Sequence, residues 1–394
     1  MKSTLLAITV LMAMNSNASV IKEAWNNSNN PDRMQVTRNS RNFRIGQYNY
    51  TKTFSDLPLE GQLTTRPWSG DYWPTHKGGI TYRWNEGSWG SDAYGYPLLE
   101  DKEVSNIEST ANLSPAEKFD LYLGRYEFPL TKYERERTNI MKTIEDSEEY
   151  DSSFEIPSWE GLCHAWAPAT MAFVNPKAVT VTNKNGMEIE FGASDIKALL
   201  TYFLHYDKSS TSFFLGGRCN VDFSKLDEQL SNDEITQEQY DRKKESMKCR
   251  DTNAGAFHLV LTNQIALLDE GFVADVTRDL EVWNQPIHGY ESEIISEISG
   301  KSEGAARGTV REVEIKTTMN YTTEIGHSFS QVIPSYNSNA NKYYHYKIEL
   351  NEKDEIIGGE WISDNRPDFL WKQTIPEFTG FFAPLKEVYE KSIL

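Results

Sequence analysis

Cysteine is scarce in this chain: three in 394 residues, at Cys163, Cys219 and Cys249. So few exclude a fold held together by a dense disulfide framework. An odd number, in an oxidising compartment, leaves one thiol over. After Met14 no apolar run approaches the length needed to cross a bilayer, which argues against a membrane anchor in the rest of the sequence. Positive charge is also short. Forty Lys and Arg stand against 58 Asp and Glu, a net charge of −18 that argues against nucleic acid or an anionic membrane as partner. No EF-hand loop or other dense carboxylate motif accompanies this acidity, so it names no metal and no cofactor, although it is compatible with loosely held calcium. Internal repeats are absent as well.

What is present begins with a leader. Met1-Lys2 precedes an apolar run from Leu5 to Met14, and Ser16-Asn17-Ala18 offers small residues for cleavage. Residues 1–18 therefore read as a signal peptide, and the product as secreted or periplasmic. Cys219 and Cys249 lie in similar loop settings on either side of a charged helical segment; pairing them would stabilise the fold by about 3–4 kcal/mol on the chain-entropy model. Cys163 is then the free thiol.

With 38% apolar residues the chain can fill one large core or two moderate ones. Residues 19–150 carry an aromatic block, Trp68 to Trp84, that needs a surface to pack on. This N-terminal region reads either as a removable pro-region over the groove or as an integral part of one core. The acidic stretch Glu145–Glu155 marks the boundary, leaving 151–394 as the catalytic domain. Ser114-Pro115-Ala116-Glu117 predicts a capping box, Lys184-Asn185-Gly186 a hairpin turn, and Ser194 the cap of a helix reaching His205. Arg311–Thr318, Tyr343–Leu350 and Glu355–Ile362 alternate like strands. Helices come first and sheet later, which is an α+β order.

In Trp159-Glu160-Gly161-Leu162-Cys163-His164-Ala165-Trp166, the free cysteine falls at the mouth of a predicted helix. There the unpaired N–H groups and the positive dipole end lower a thiol's pKa and can hold an oxyanion. Read alone, such a cysteine is better explained as a small apolar residue packed between two tryptophans. A thiolate enzyme also needs a base and a group to orient it. His164 adjoins Cys163 and points elsewhere on a helix. His258, with Asp275 in the strand-like Phe272–Val276, is the preferred pair; His345 with Glu360 or Asp364 is the rival. A nucleophile at a helix start, with its partners in a later β-rich half, is the layout of a papain-like fold.

Trp283-Asn284-Gln285-Pro286-Ile287-His288-Gly289-Tyr290 closely resembles the surface peptide of the transglutaminase elicitor family of oomycete cell walls. Residues 67–84, 159–169, 257–275, 357–361 and 367–371 are similar to that family too. The resemblance implies a papain-like protein-glutamine γ-glutamyltransferase that joins glutamine and lysine side chains of protein substrates, or primary amines, through a cysteine thioester. It implies Cys163 as nucleophile, with His258 and Asp275 as partners. His288 stands where the family peptide carries arginine, and Arg366 where a histidine is expected, which removes Arg366 as a base. Trp159, Trp166 and Trp283 are candidate walls of a groove that favours amine over water. A secreted cysteine peptidase or glutamine amidase would use the same triad. A non-catalytic surface protein would instead present Trp283–Tyr290 to a partner.

Overall fold

The computed structural model describes residues 25, 28–35, 49–87, 90–218, 222–244, 252–277 and 280–394. The predicted leader, Cys219 and Cys249 lie outside the described residues.

A short strand β1 (Glu60–Gln62) precedes three helices, α1 (Asp101–Val104), α2 (Pro115–Tyr122) and α3 (Pro129–Thr138). α2 begins with the predicted capping box: Ser114 Oγ accepts from Glu117 N at 3.2 Å and Glu117 Oε2 accepts from Ser114 N at 2.9 Å. Pro115 follows where its missing N–H costs no helical bond. Next come α4 (Cys163–Ala172), the hairpin β2 (Val179–Thr182) and β3 (Glu188–Phe191), and α5 (Ala193–Tyr206). The hairpin turns at Gly186, whose φ of 86° suits glycine. The cap of α5 differs from expectation. Gly192 precedes the helix with its N–H held by Asp195 Oδ2 at 2.7 Å, and Ser194 Oγ instead accepts from Ser328 N at 2.8 Å.

The second half supplies β4 (Ser212–Gly216), α6 (Phe223–Ser231), α7 (Gln237–Lys244), α8 (Ala254–Leu261), β5 (Phe272–Asp275), β6 (Asn284–Ser299), β7 (Arg311–Thr322), β8 (Asn339–Leu350), β9 (Ile356–Trp361), β10 (Phe369–Gln373) and α9 (Leu385–Ser392). The strands run β4-β10-β5-β6-β7-β8-β9 with antiparallel neighbours, and β1 adds to β6. Mixed helix and sheet in this order agree with the α+β expectation. The peptide read as a surface segment is the start of β6, and Asn284–Tyr290 are buried.

Side-chain alternation makes this sheet a partition between two cores. On one face Val273, Phe369 and Trp371 pack with Trp166 of α4 and Leu199, Leu200 and Phe203 of α5. On the other, Phe272, Ala274 and Leu370 pack with Phe257, Leu259 and Val260 of α8 and with Tyr344 and Tyr346 of β8. The first core also takes Trp68, Trp73, Ile80, Phe119 and Leu121 from before the acidic stretch. Trp68 Nε1 donates across it to Phe173 O at 2.9 Å.

Candidate active site

Alanines at 165, 167, 169 and 172 favour the helix that Cys163 opens. Leu162, the residue before it, supplies no side-chain cap. Leu162 N is instead donated to Tyr72 O at 2.7 Å, which ties the helix mouth to the aromatic block. The thiol is 6% exposed. Its S–H lies 3.5 Å from Val282 O, and Asn284 Nδ2 donates toward Sγ from 3.7 Å, a normal reach for sulfur. The orientation of that amide is fixed from behind, because Asn284 Oδ1 accepts from Trp371 Nε1 at 2.8 Å. Sulfur thus sits against the first residues of β6, some 120 positions away in sequence.

Asp275 is the register partner of Asn284 and shares the Val273 face of β5. Its Oδ1 accepts from Trp283 N at 3.1 Å, Thr277 N at 3.2 Å and Thr277 Oγ1 at 3.0 Å, holding the chain where it passes the thiol. Two of the expected residues, Cys163 and Asp275, are therefore neighbours. The expected lowering of the thiol pKa is reversed. Burial pushes it up, the Asn284 donors only partly oppose this, and the carboxylates of Glu324 and Asp275 push further in the same direction.

His258 is not brought to the thiol. It is fully buried on α8 among the second core, with Nδ1 2.8 Å from Tyr346 Oη and the Phe54 ring 6.0 Å away. The sheet stands between that cluster and Cys163. Burial alone lowers its pKa to about 4, as for a neutral core imidazole. The rival pair is not formed either, since His345 Nε2 meets Glu314 at 2.7 Å and Glu360 meets Lys347 at 3.2 Å. His164 turns to His205, Nε2 to Nδ1 at 2.8 Å, and burial lowers both, to about 4 and about 3.

Another imidazole, one the sequence did not single out, meets the segment that anchors the helix mouth. His327 Nε2 lies 2.7 Å from Asp71 Oδ2. Its ring is boxed by Trp73, Tyr82 and Trp84, with centroids 4.9, 5.4 and 5.6 Å away. Trp84 Nε1 donates to Asp195 at 2.8 Å, and Asp195 pairs with Lys118 at 2.6 Å, both fully buried. Asp71 precedes Tyr72, the acceptor from the helix mouth. The His327 loop is pinned to the same segment by Ile325 N donating to Gly70 O at 3.0 Å.

The tryptophans divide. Trp283 is half-buried and faces Tyr72, ring to ring at 5.8 Å, as one wall beside the thiol. Trp159 is half-buried in the approach to α4. Trp166 is fully buried in the first core, which removes it from any groove wall. Asn284, Trp371, Tyr72, Asp71, Glu324 and His327 were missed because their relation to Cys163 is made by chain reversal; only the Trp-Asn-Gln-Pro run carried a signal. Among the described residues no group of three or more His, Cys, Asp or Glu side chains is arranged to hold a metal ion, and no helix is long and apolar enough to cross a membrane.

The fold is similar to that of the GP42 transglutaminase from Phytophthora sojae, with a TM-score of 0.62 over 87% of this chain and 94% of that one, at 23% identity. The profile of the transglutaminase elicitor family matches residues 46–379, and the chain belongs to that family. No curated protein matches it.

Proposed function

We propose that this protein is an exported protein-glutamine γ-glutamyltransferase with Cys163 as nucleophile. The observation that carries the reading is the thiol at the first position of an uncapped helix, facing the oriented amide of Asn284. In this reading the Cys163 thiol gives its proton to His327, and sulfur attacks the carboxamide carbon of a substrate glutamine. Asn284 Nδ2 and first-turn N–H groups take the developing oxyanion. The C–N bond breaks as the imidazolium returns its proton to departing ammonia, leaving a thioester. A lysine amine then attacks, loses its proton to the same imidazole, and the thiol is restored as the isopeptide forms. Asp71 orients His327, while Asp275 fixes Trp283 and Asn284 beside sulfur. His258, on the far side of the sheet, takes a packing role.

The elevated thiol pKa supports a base-dependent mechanism, because little thiolate stands ready at neutral pH. The family to which the chain belongs, and a transglutaminase as structural neighbour, support transfer to amines over simple hydrolysis. The deciding experiment incubates the protein with a fluorescent primary amine and a glutamine-rich acceptor protein. Label and ammonia should appear together, and Cys163→Ala should lose both. Ammonia without label assigns an amidase, and peptide cleavage a peptidase.

A further inference from the structure

Three carboxylates belong to the site, Asp275 and Glu324 near the thiol and Asp71 beside Tyr72, and they differ in what already occupies them. Asp275 Oδ1 accepts three hydrogen bonds from the chain that it holds. Asp71 is taken by His327. Glu324 is half-buried and accepts from two neutral donors, the Gln285 amide at 2.8 Å and the Thr323 hydroxyl at 3.0 Å. No Lys, Arg or His among the described residues forms an ion pair with it. The Gln285 amide follows Asn284 at the start of β6 but shares the Ala274 face of the sheet, whereas Ile325, directly after Glu324, donates to Gly70 O beside the Asp71-Tyr72 wall. Glu324 is thus tied to the site through the Gly70-Asp71-Tyr72 segment, with Gln285 holding it at the mouth of β6.

Glu324 has, among the described residues, only these two neutral donors as side-chain partners, which leaves room for a cation to join them. Its charge is felt around it, since it helps to push up the ionisation of Tyr72 and Tyr321 as well as Cys163. For making a thiolate this placement is adverse. It is useful for the second half-reaction, in which the incoming acyl acceptor is a cation in solution. A carboxylate accepts at about four lone-pair positions and neutral donors fill two of them here, so an ammonium with three donors finds acceptors free.

We propose that Glu324 is the acceptor-specificity residue: its carboxylate receives the ammonium of a lysine side chain or other alkylamine beside Cys163, and so selects cationic acceptors over water and uncharged nucleophiles. This rests on the transglutaminase reading above. Glu324 makes and breaks no covalent bond. It concentrates the charged amine next to the thioester, where the imidazole then takes the proton that must leave before nitrogen attacks. The walls of Tyr72 and Trp283 suit the apolar stem of such an acceptor.

The test compares a fluorescent alkylamine, a cation at neutral pH, with hydroxylamine, which is uncharged there. In Glu324→Gln the ratio of kcat/KM for the alkylamine to that for hydroxylamine should fall about tenfold or more, mainly through KM for the amine, and Glu324→Asp should recover part of the preference. Anisotropy of the same alkylamine, measured on Cys163→Ala with and without Glu324→Gln, reads binding without chemistry and should weaken to a similar degree. An unchanged ratio, or equal loss toward both acceptors with unchanged binding, overturns the proposal. If wild type turns over neither acceptor, the transglutaminase reading fails instead, and the anisotropy still reports whether Glu324 binds the cation.

Discussion

The side-chain amide of Asn284 lies between two groups that use its opposite ends: Nδ2 reaches Cys163 Sγ at 3.7 Å, and Oδ1 is held by the Trp371 indole N–H at 2.8 Å. An amide free to flip would present oxygen to the sulfur half of the time. With the indole fixed behind it, the donor faces the place where negative charge develops. Pre-orientation of this kind avoids reorganisation at the moment of reaction, and that is the source of its catalytic value.

Removing the donor should therefore cost rate more than fold. Asn284→Ala should lower kcat by about a hundred- to a thousandfold, as losses of single oxyanion donors do. Trp371→Phe, which keeps the packing and frees the amide, should lower it by a smaller factor. Single-turnover thioester formation measures both. Wild-type rates in Asn284→Ala would take the amide out of the mechanism.

Thiol reactivity should show the environment of Cys163 directly. Burial, Glu324 and Asp275 all disfavour the thiolate, so the apparent pKa lies above that of an ordinary thiol. Alkylation by iodoacetamide should rise with pH and reach its midpoint later than for a small free thiol. Glu324→Gln should move the midpoint back toward neutral. A midpoint below the ordinary thiol range would mean that the helix mouth, not burial, governs the group.

His327 and His258 separate by function. His327→Ala should lower turnover by several orders of magnitude, with Asp71→Asn less damaging because the imidazole keeps its place and loses only its orienting charge. The circular dichroism spectrum should be unchanged in both. Normal turnover in His327→Ala would reopen the search for the base.

How far the sequence was legible follows from the range of each signal. The Ser114 capping box, the Gly186 turn and the strands β7, β8 and β9 rest on residues near one another in the chain, and they form close to where the pattern puts them. Cys163 at a helix start is equally local. His258 failed to reach the thiol because spacing along the chain does not say on which face of a sheet a residue falls. Its helix α8 packs on the Phe272 side, whereas Asp275 shares the Val273 side. The groups that build the site around Cys163 come from four separate stretches, around residues 71, 284, 324 and 371, some of them acting through a neighbour as Trp371 does through Asn284. The thiol pKa was misjudged for a related reason: the helix dipole is legible locally, while the burial and carboxylates that outweigh it are assembled by the fold.

Acid should test the packing role of His258. Its folded pKa is lowered to about 4 by burial, against 6.5 in the unfolded chain. Between those values the unfolded chain takes up a proton that the folded one refuses, so stability falls as pH drops from 6.5 toward 4, by roughly 3 kcal/mol at most for this group. His258→Ala should lose about 2–4 kcal/mol at neutral pH through the cavity and the lost hydrogen bond to the Tyr346 hydroxyl, which keeps Thr317 as a partner, while turnover per folded molecule stays within a few-fold of wild type. Denaturant melts across the pH range, alongside activity, check this; a large loss of kcat without loss of stability would return His258 to the chemistry.

Cutting the acidic stretch Glu145–Glu155 asks whether the N-terminal region is a cover or part of the body. Much of the stretch is exposed, so a protease that favours acidic sites should reach it. Trp68, Trp73, Ile80, Phe119 and Leu121 lie in the same core as Trp166, Leu199 and Phe203 of the later half, all but fully buried. At about 2 kcal/mol for each large side chain returned to water, removing those five would cost about 10 kcal/mol, comparable to the roughly 5–15 kcal/mol that holds a whole domain folded. Asp71 and Tyr72, which frame the thiol, would leave with them. We therefore expect the nicked protein to stay associated as one particle with its activity retained, and the isolated 151–394 piece to aggregate and label no amine. Size-exclusion chromatography before and after mild denaturant, followed by the amine assay on each fraction, measures this. A soluble C-terminal fragment more active than the intact chain would make residues 19–150 a removable pro-region.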